Sequence, residues 1–470
     1  MHPSALAKRV PILLVVIIIA FYLYGLGKLP LVGPDEPRYA QVAREMFLSG
    51  DLITPTLGGH TWFEKPALLY WMIVASFKTF GVSEWSARLG PALCGLLTIV
   101  AVWCVGREVD RSFGFWSLIA SASCLGLIVF SRAASFDIVI TMTTTWSLAF
   151  FLLHELRRKR SLLAGFYAFV GLSLLAKGLV GIVVPFGVIG VYFLLRRSWP
   201  ARSVWLSLLW GFPLAAAVSA IWYGPVIAKH GWTFINEFFI QHHFARYISN
   251  KYHHPQPLYF YPVIILMLAL PWTPYLIAAL VKVRSWTWRG EDSLSVVRVF
   301  SFAWLLWPIV FFSFSGSKLP GYVLPSVPAI TLLVADQLMR TRRAKWPLLV
   351  AGTTMALVLV ALSFIATRFA NRESVRDLLK LADARGYASA PVLAQRSDDR
   401  SAEFYAYGRV VYGPNGEPLT FDEISVDEAR ARGGKFVVFI PVEYVENFRG
   451  TPAIEIIGDN GKTAALGWKP

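Results

Sequence analysis

Asp35 and Glu36 lie side by side between two prolines in Gly33-Pro34-Asp35-Glu36-Pro37-Arg38-Tyr39. Proline restricts its own backbone and that of the residue before it, so Pro34 and Pro37 would hold the Asp35 carboxylate in a fixed direction. A carboxylate held this way suits proton abstraction or stabilisation of a developing cation. The plainer alternative is a helix N-cap, because Tyr39, Val42 and Met46 share one side of a helix over 38–48. A second acid follows in Trp62-Phe63-Glu64-Lys65-Pro66, where aromatic and proline neighbours would partly desolvate a Glu–Lys pair. Its alternative is a surface ion pair worth little energy. A third acid, Asp137, begins an apolar run after Ser131-Arg132-Ala133-Ala134-Ser135-Phe136. An acid there is expensive unless it finds a partner, although a helix cap is again the simple reading.

Cations accompany these acids. Lys65, Arg246 and Lys318, the last in Ser315-Gly316-Ser317-Lys318-Leu319-Pro320-Gly321-Tyr322, would give charge-assisted donors to a phosphate. Five of the eight histidines fall between His230 and His254, close to Glu237. Imidazoles and carboxylates together could hold a divalent metal, but the spacing matches no standard zinc pattern, and chance clustering in a wet loop is the alternative. Lys177, between two apolar runs, reads as a snorkelling lysine. Cys94, Cys104 and Cys124 lie in apolar stretches and read as small core residues.

The elements that position these residues are membrane helices. Of the 470 residues, 56% are hydrophobic and 16% charged, against roughly a quarter charged in soluble domains. Apolar segments at 10–29, 85–106, 113–131, 138–156, 162–176, 178–196, 203–226, 258–281, 295–314, 320–339 and 346–368 are candidate spans, and 66–80 could add a partial helix. The fold expected is thus a polytopic α-helical membrane protein of about 11–13 transmembrane helices. The first segment follows Lys8 and Arg9 and lacks a clear small-x-small cleavage site, which favours a retained anchor over a signal peptide.

With the amino terminus inside, the connections at 107–112, 157–160, 196–203, 282–292 and 340–345 fall on the cytoplasmic side, and each carries Lys or Arg. The long loops 29–83 and 228–257 then lie outside, together with Lys318, Asp137 and the carboxy terminus. Residues 371–470 carry 15 acidic and 13 basic residues, so the chain before them holds +18 against a whole-chain net of +16. Expected there are helices at 374–385 and 425–432 and strands at 391–395, 409–412, 435–440 and 453–457, making a small C-terminal extracytoplasmic α/β domain after a membrane domain over 1–370. The positive charge sits in short membrane loops, which argues against nucleic-acid binding. A transporter or flippase would keep ionisable groups at mid-membrane and show related halves. Here the polar groups gather just outside the spans.

Asp35-Glu36-Pro37-Arg38-Tyr39-Ala40, Arg44-Glu45-Met46, Ser49-Gly50-Asp51, Phe63-Glu64-Lys65-Pro66, Tyr70-Trp71, Glu84-Trp85 and Arg88 form a series. With Ser317-Lys318-Leu319-Pro320, Tyr322 and Phe404-Tyr405, they closely resemble the aminoarabinose-transferase, lipid A-modifying branch of the protein O-mannosyltransferase superfamily. The likeness covers most of the chain, with a shorter tail than typical members.

The resemblance implies a GT-C glycosyltransferase of the bacterial inner membrane. Such an enzyme moves a sugar, with inversion, from an undecaprenyl-phosphate donor to lipid A or another glycolipid on the periplasmic face. Transfer to protein Ser or Thr is the alternative. The resemblance makes Asp35 the catalytic carboxylate and Asp137 a second carboxylate near the site. It makes Glu64 a contact to a divalent metal, with His242 or His243 as partner. Lys65, Arg246 and Tyr322 become contacts to the lipid phosphate, and Glu36, Arg38, Tyr39 and Lys318 complete the substrate-binding candidates. Breaking a sugar–phosphate bond leaves charge on the lipid phosphate, which Lys65 and Arg246 would stabilise. Asp35 would act as general base toward a hydroxyl acceptor, or would orient the donor and stabilise a cationic sugar if the acceptor is an already ionised phosphate.

Overall fold

The computed structural model describes residues 11–245, 256–341, 343–396, 399–422, 428, 431 and 433–469, with side chains to 242 in the first stretch. Among these residues, six helices are long and apolar enough to cross a bilayer: Glu84–Val109, Phe136–Arg157, Arg202–His242, Ser293–Ser313, Pro320–Met339 and Lys345–Arg372. Shorter apolar helices run over Ile12–Leu23, Leu68–Phe80, Leu162–Lys177 and Val180–Arg196. The chain is a polytopic helical membrane protein with a small C-terminal sheet.

Each apolar segment expected from sequence falls on helix, with local differences. The 113–131 segment is two helices, Arg111–Ala122 and Leu125–Phe130. The 258–281 segment is Phe260–Leu268 and Thr273–Val281, parted around Pro271. Proline cannot continue the backbone ladder. The Leu270 carbonyl instead accepts from Leu125 N at 2.8 Å, and Cys124 Sγ lies 3.0 Å from the Leu268 carbonyl. The 320–339 segment opens as a 3₁₀ turn at Pro320–Ser326 before its α-helix, Val327–Met339. The stretch expected as a partial helix at 66–80 is a helix of 13 residues.

The chain divides into two compact units. The first takes in residues up to Tyr24, Phe63–Leu69 and Gly90–Leu357. Its centre is formed by Pro320–Met339 and Phe136–Arg157, whose most apolar stretches are 89% and 83% buried. Arg202–His242 is only 22% buried and turns Trp205 and Leu209 outward. Such a surface is stable when hydrocarbon covers it. The basic connections gather at one end of this unit. There Asp336, 3% exposed, accepts two hydrogen bonds from Arg298 at 2.7 and 3.0 Å, and Lys282 donates to Gln337 at 2.9 Å. Arg157 pairs with Glu108, and Arg196 donates to the Gly290 carbonyl. A buried acid on an apolar helix needs such a partner, and the bidentate arginine supplies it.

The second unit comprises Gly25–Trp62, Tyr70–Leu89 and Val358–Pro470. It holds the helix Glu36–Ser49, the two-stranded turn β1 (Thr56–Leu57) and β2 (His60–Thr61), and a four-stranded sheet. The sheet strands are β3 (Val392–Ala394), β4 (Phe436–Pro441), β5 (Ile454–Asp459) and β6 (Thr463–Trp468), in the order β3-β4-β6-β5. β3 and β4 are parallel; the other neighbours are antiparallel, with Phe436 opposite Trp468. Successive side chains of β4 alternate between two cores. Val437 and Phe439 join Leu378, Leu379 and Tyr387, while Phe436, Val438 and Ile440 join Leu466 and Trp468. This two-sided burial explains the unbroken apolar run of the strand.

The helix expected at 374–385 appears as Arg376–Ala382, continued by a π turn over Asp383–Tyr387. The strand expected at 409–412 makes only isolated bridges, at Val410 and Tyr412. β6 was not expected, because Thr463-Ala464-Ala465-Leu466-Gly467 has little local strand signal. The helix expected at 425–432 lies outside the described residues, Glu428 and Ala431 apart.

Candidate active site

In the second unit Asp35 occupies the N-cap position of the helix Glu36–Ser49, with Pro37 in the first turn. Its side chain makes no capping bond, so the capping alternative is not realised. The carboxylate instead accepts from Arg38 Nη2 at 2.7 Å and remains half exposed. Arg38 in turn lies over the Trp62 ring, 4.9 Å from its centroid. The chain thus presents a carboxylate whose direction is set by an arginine that an aromatic face steadies. Tyr39 is buried and meets Tyr70 edge-on at 6.3 Å.

Glu36, one residue on, faces the other way. Both its oxygens accept from Arg88, Nε to Oε1 and Nη2 to Oε2, each at 2.7 Å, and Val32 N lies 3.3 Å from Oε2. Arg88 is 3% exposed and also donates to the carbonyls of Leu26, Leu29 and Pro30. A guanidinium has five N–H donors in a rigid fork, and here they hold the entry to the loop that carries Asp35. The place of Glu36, expected among substrate contacts, is in this clasp.

Two further ties act in the same unit. Tyr405 Oη accepts from Leu31 N at 2.8 Å and donates to Glu84 Oε1 at 3.0 Å, and Arg376 reaches Glu84 at 3.2 Å. Arg44 donates to the Phe404 carbonyl at 2.7 Å and lies over the Phe404 ring at 4.1 Å. Close by, Glu403 is 1% exposed. Burial pushes its carboxyl up to about 7, against the opposing influence of Arg400 and Arg38.

In the first unit Asp137 lies in the first turn of Phe136–Arg157, but Ser135 is the cap, its Oγ accepting from Asp137 N at 3.1 Å. The Asp137 carboxylate is therefore available for Lys177, with which it pairs. Lys177 was expected to snorkel. It is instead drawn inward to the partly buried acid, its Nζ 4.9 Å from the centre of the Tyr322 ring. Gly178, at φ +64°, lets the chain turn directly after it. Gly321 completes the arrangement: a Cβ there would overlap the Asp137 carboxylate. Asp137, Lys177, Gly321 and Tyr322 are thus brought together.

Lys318 is 8% exposed and donates to the Gln256 carbonyl at 2.6 Å. Glu64 and Lys65 pair at 2.5 Å, both mostly buried, and neighbouring Phe63 packs against His230 and Phe234. That burial separates the pair from the exposed ion pair the sequence also allowed. His242 is half-buried in the π-helical end of its span. Arg246 and the His243 side chain lie outside the described residues. Among the described residues no three His, Cys, Asp or Glu side chains are grouped to hold a metal ion. Glu64 faces Lys65, so the described residues do not fit a metal centre. Sequence reasoning noted Lys177 only as a snorkelling lysine and did not single out Gly321, although Gly321 lies in the Lys318–Tyr322 motif.

Comparison with known proteins places these features in a family. Residues 64–223 match the family described as dolichyl-phosphate-mannose-protein mannosyltransferase. An undecaprenyl phosphate-alpha-4-amino-4-deoxy-L-arabinose arabinosyl transferase of Pseudomonas fluorescens (strain Pf0-1) is 30% identical over 352 residues, which is 71% of this chain and 60% of that protein. A protein of Aquifex aeolicus (strain VF5) with no functional name is 30% identical over 345 residues, 72% of this chain and 75% of its own. The first curated relatives are longer, and the chain spans 60% and 57% of their lengths. Among solved structures, ArnT from Cupriavidus metallidurans bound to undecaprenyl phosphate shares the fold, with a TM-score of 0.77 at 22% identity and 97% coverage of both chains.

Proposed function

The chain belongs to the aminoarabinose-transferase branch of the protein O-mannosyltransferase-like GT-C glycosyltransferases, and from that premise we propose that it transfers an aminoarabinose-like sugar from undecaprenyl phosphate to lipid A or a related glycolipid. The observation that carries this reading is Asp35, a half-exposed carboxylate aimed by Arg38 over Trp62. In this reading the site lies on the periplasmic face of the inner membrane. Residues 1–370 are the catalytic membrane domain and 371–470 the periplasmic α/β domain.

The chemistry follows from charge. As the bond between the sugar and the carrier phosphate breaks, negative charge grows on the phosphate, and Lys65, Lys318 and Arg246 supply cations to it. The partly positive sugar carbon is met by the acceptor oxygen from the opposite face, which inverts its configuration. Asp35 takes the proton of a hydroxyl acceptor, or orients the donor when the acceptor is an ionised phosphate. Asp137 acts through Lys177 and sets the charge beside Tyr322.

The test is mass spectrometry of lipid A from a host lacking its own transferase, with and without this protein. An added sugar mass supports the reading, and an unchanged profile from an inserted, donor-supplied protein rejects it. The mannosyltransferase family match over 64–223 supports a second reading, transfer to Ser or Thr. A radiolabelled polyprenyl-phosphate sugar separates the two by whether label runs with lipid or with protein.

A further inference from the structure

At the basic end of the first unit lies a cavity of about 610 Å³, within the range of roughly 300–1,000 Å³ usual for ligand sites. Phe151, Phe166, Tyr167, Phe186, Phe193 and Trp205 line it. Deeper in the lining Tyr167 Oη and Ser207 Oγ share a hydrogen bond of 3.0 Å, and Ser207 Oγ donates to the Val204 carbonyl at 2.6 Å, so these hydroxyls are satisfied within the protein and the wall offers apolar surface rather than polar recognition. The cavity is remote from Asp137. Phe151 is 14 residues along the helix from Asp137, about 20 Å at 1.5 Å per residue.

The mouth has a different character. Arg197, Ser198 and Trp199 form it, where Val180–Arg196 ends and the chain turns toward Arg202. Arg197 lines the cavity and Arg202 begins the next helix; both are exposed, and among the described residues neither guanidinium makes a hydrogen bond or ion pair. Of the lining residues, Leu194 and Trp199 are 74% and 85% exposed. In a membrane protein these side chains face hydrocarbon or its boundary, so the cavity opens toward the bilayer rather than toward water. Arginines beside a membrane surface attract anionic lipid headgroups.

We propose that this cavity binds an anionic glycerophospholipid of the surrounding bilayer, with one acyl chain among the aromatic side chains and the phosphate on Arg197 and Arg202. The apolar wall recognises the chain, and the two guanidinium groups, lacking a protein counter-charge, recognise the headgroup. Gly190 lines the cavity with open space where a Cβ would be, so a side chain there would fill the cavity without displacing backbone.

The test uses the full-length protein in detergent, with phosphatidylglycerol and phosphatidylcholine as probes read by native mass spectrometry. The wild type is expected to hold phosphatidylglycerol preferentially. Gly190→Phe is expected to lower its occupancy about tenfold, which is 1.4 kcal/mol. Arg197→Gln/Arg202→Gln, at exposed positions that leave the core intact, is expected to erase the preference between the two lipids. A phosphatidylglycerol carrying a photoreactive acyl chain is expected to label wild-type peptides within 163–208. Labelling spread evenly over the exposed helices, undiminished occupancy in a folded Gly190→Phe protein, or an unchanged preference in the double-arginine variant would each overturn the proposal.

Discussion

Arg88 holds Glu36 through two parallel hydrogen bonds of 2.7 Å while three further bonds from the same guanidinium grip the carbonyls of Leu26, Leu29 and Pro30. The aim of Asp35 is set by the turn between these two anchors. Removing one partner of a buried ion pair strands the other, at about 3–5 kcal/mol. Glu36→Gln and Arg88→Lys are therefore expected to lower thermal stability, measured by a fluorescence melt of the detergent-solubilised protein, and to lower transfer with it. A Glu36→Gln protein with wild-type melting would show that the clasp contributes nothing.

Asp35→Asn keeps the shape of the side chain and removes its charge. Transfer is expected to fall about 10²–10⁴-fold, while melting temperature and membrane insertion stay unchanged. Full transfer by this variant in membrane vesicles would remove Asp35 from the chemistry.

Asp137 and Lys177 are expected to behave as one unit. Asp137→Asn and Lys177→Met should each destabilise the protein, and the double variant should lose less than the sum of the two. The coupling expected for contacting residues is about 0.5–3 kcal/mol, and strict additivity in a double-mutant cycle would dissolve the pair.

Gly321→Ala places a methyl group against the Asp137 carboxylate. Overpacking of this kind costs about 1–3 kcal/mol. The expected outcome is lower transfer that shortening the acid, in the pair Gly321→Ala/Asp137→Ala, relieves in stability but not in activity. An unaffected melting curve in the single variant would mean the contact is not close.

Glu403 supplies a pH dependence. Its carboxyl is raised from 4.5 to about 7. Between those values the folded chain keeps a proton that the unfolded chain has lost, so stability declines as pH rises through this window. Above it the deficit is complete, of order 3 kcal/mol at 1.36 kcal/mol per unit. Wild-type melting is expected to fall from pH 5 to pH 7.5. Glu403→Gln is expected to flatten that slope and to be the more stable protein at pH 7.5, and an identical slope in both proteins would exclude Glu403 as its source.

Much of this architecture is legible in the sequence. Long apolar runs punctuated by basic clusters foreshadow the helices, because a bilayer demands both. Asp35 stands out through its two prolines. What escapes sequence reading is partnership over distance. Arg88 is 52 residues from Glu36 and Lys177 is 40 from Asp137. No local pattern tells a lysine that snorkels from one drawn in by an acid. The Asp137 capping alternative was plausible because Ser135 and Asp137 both lie at the helix start, and only geometry separates the cap from the ion pair. β6 is invisible for a related reason: its small residues acquire strand structure from β4 and β5 on either side of it.

The bond from Leu31 N to Tyr405 Oη joins residues 374 positions apart. At synthesis rates of about 5–20 residues per second, the ribosome needs roughly 20–75 s between them. Throughout that interval the loop bearing Asp35 has already been made but lacks its tyrosine tether. Maturation of the first loop is therefore timed by a residue made long after it, and a nascent chain that has not yet reached Tyr405 already carries the six long apolar helices of the described residues yet waits, with the loop bearing Asp35 unfastened.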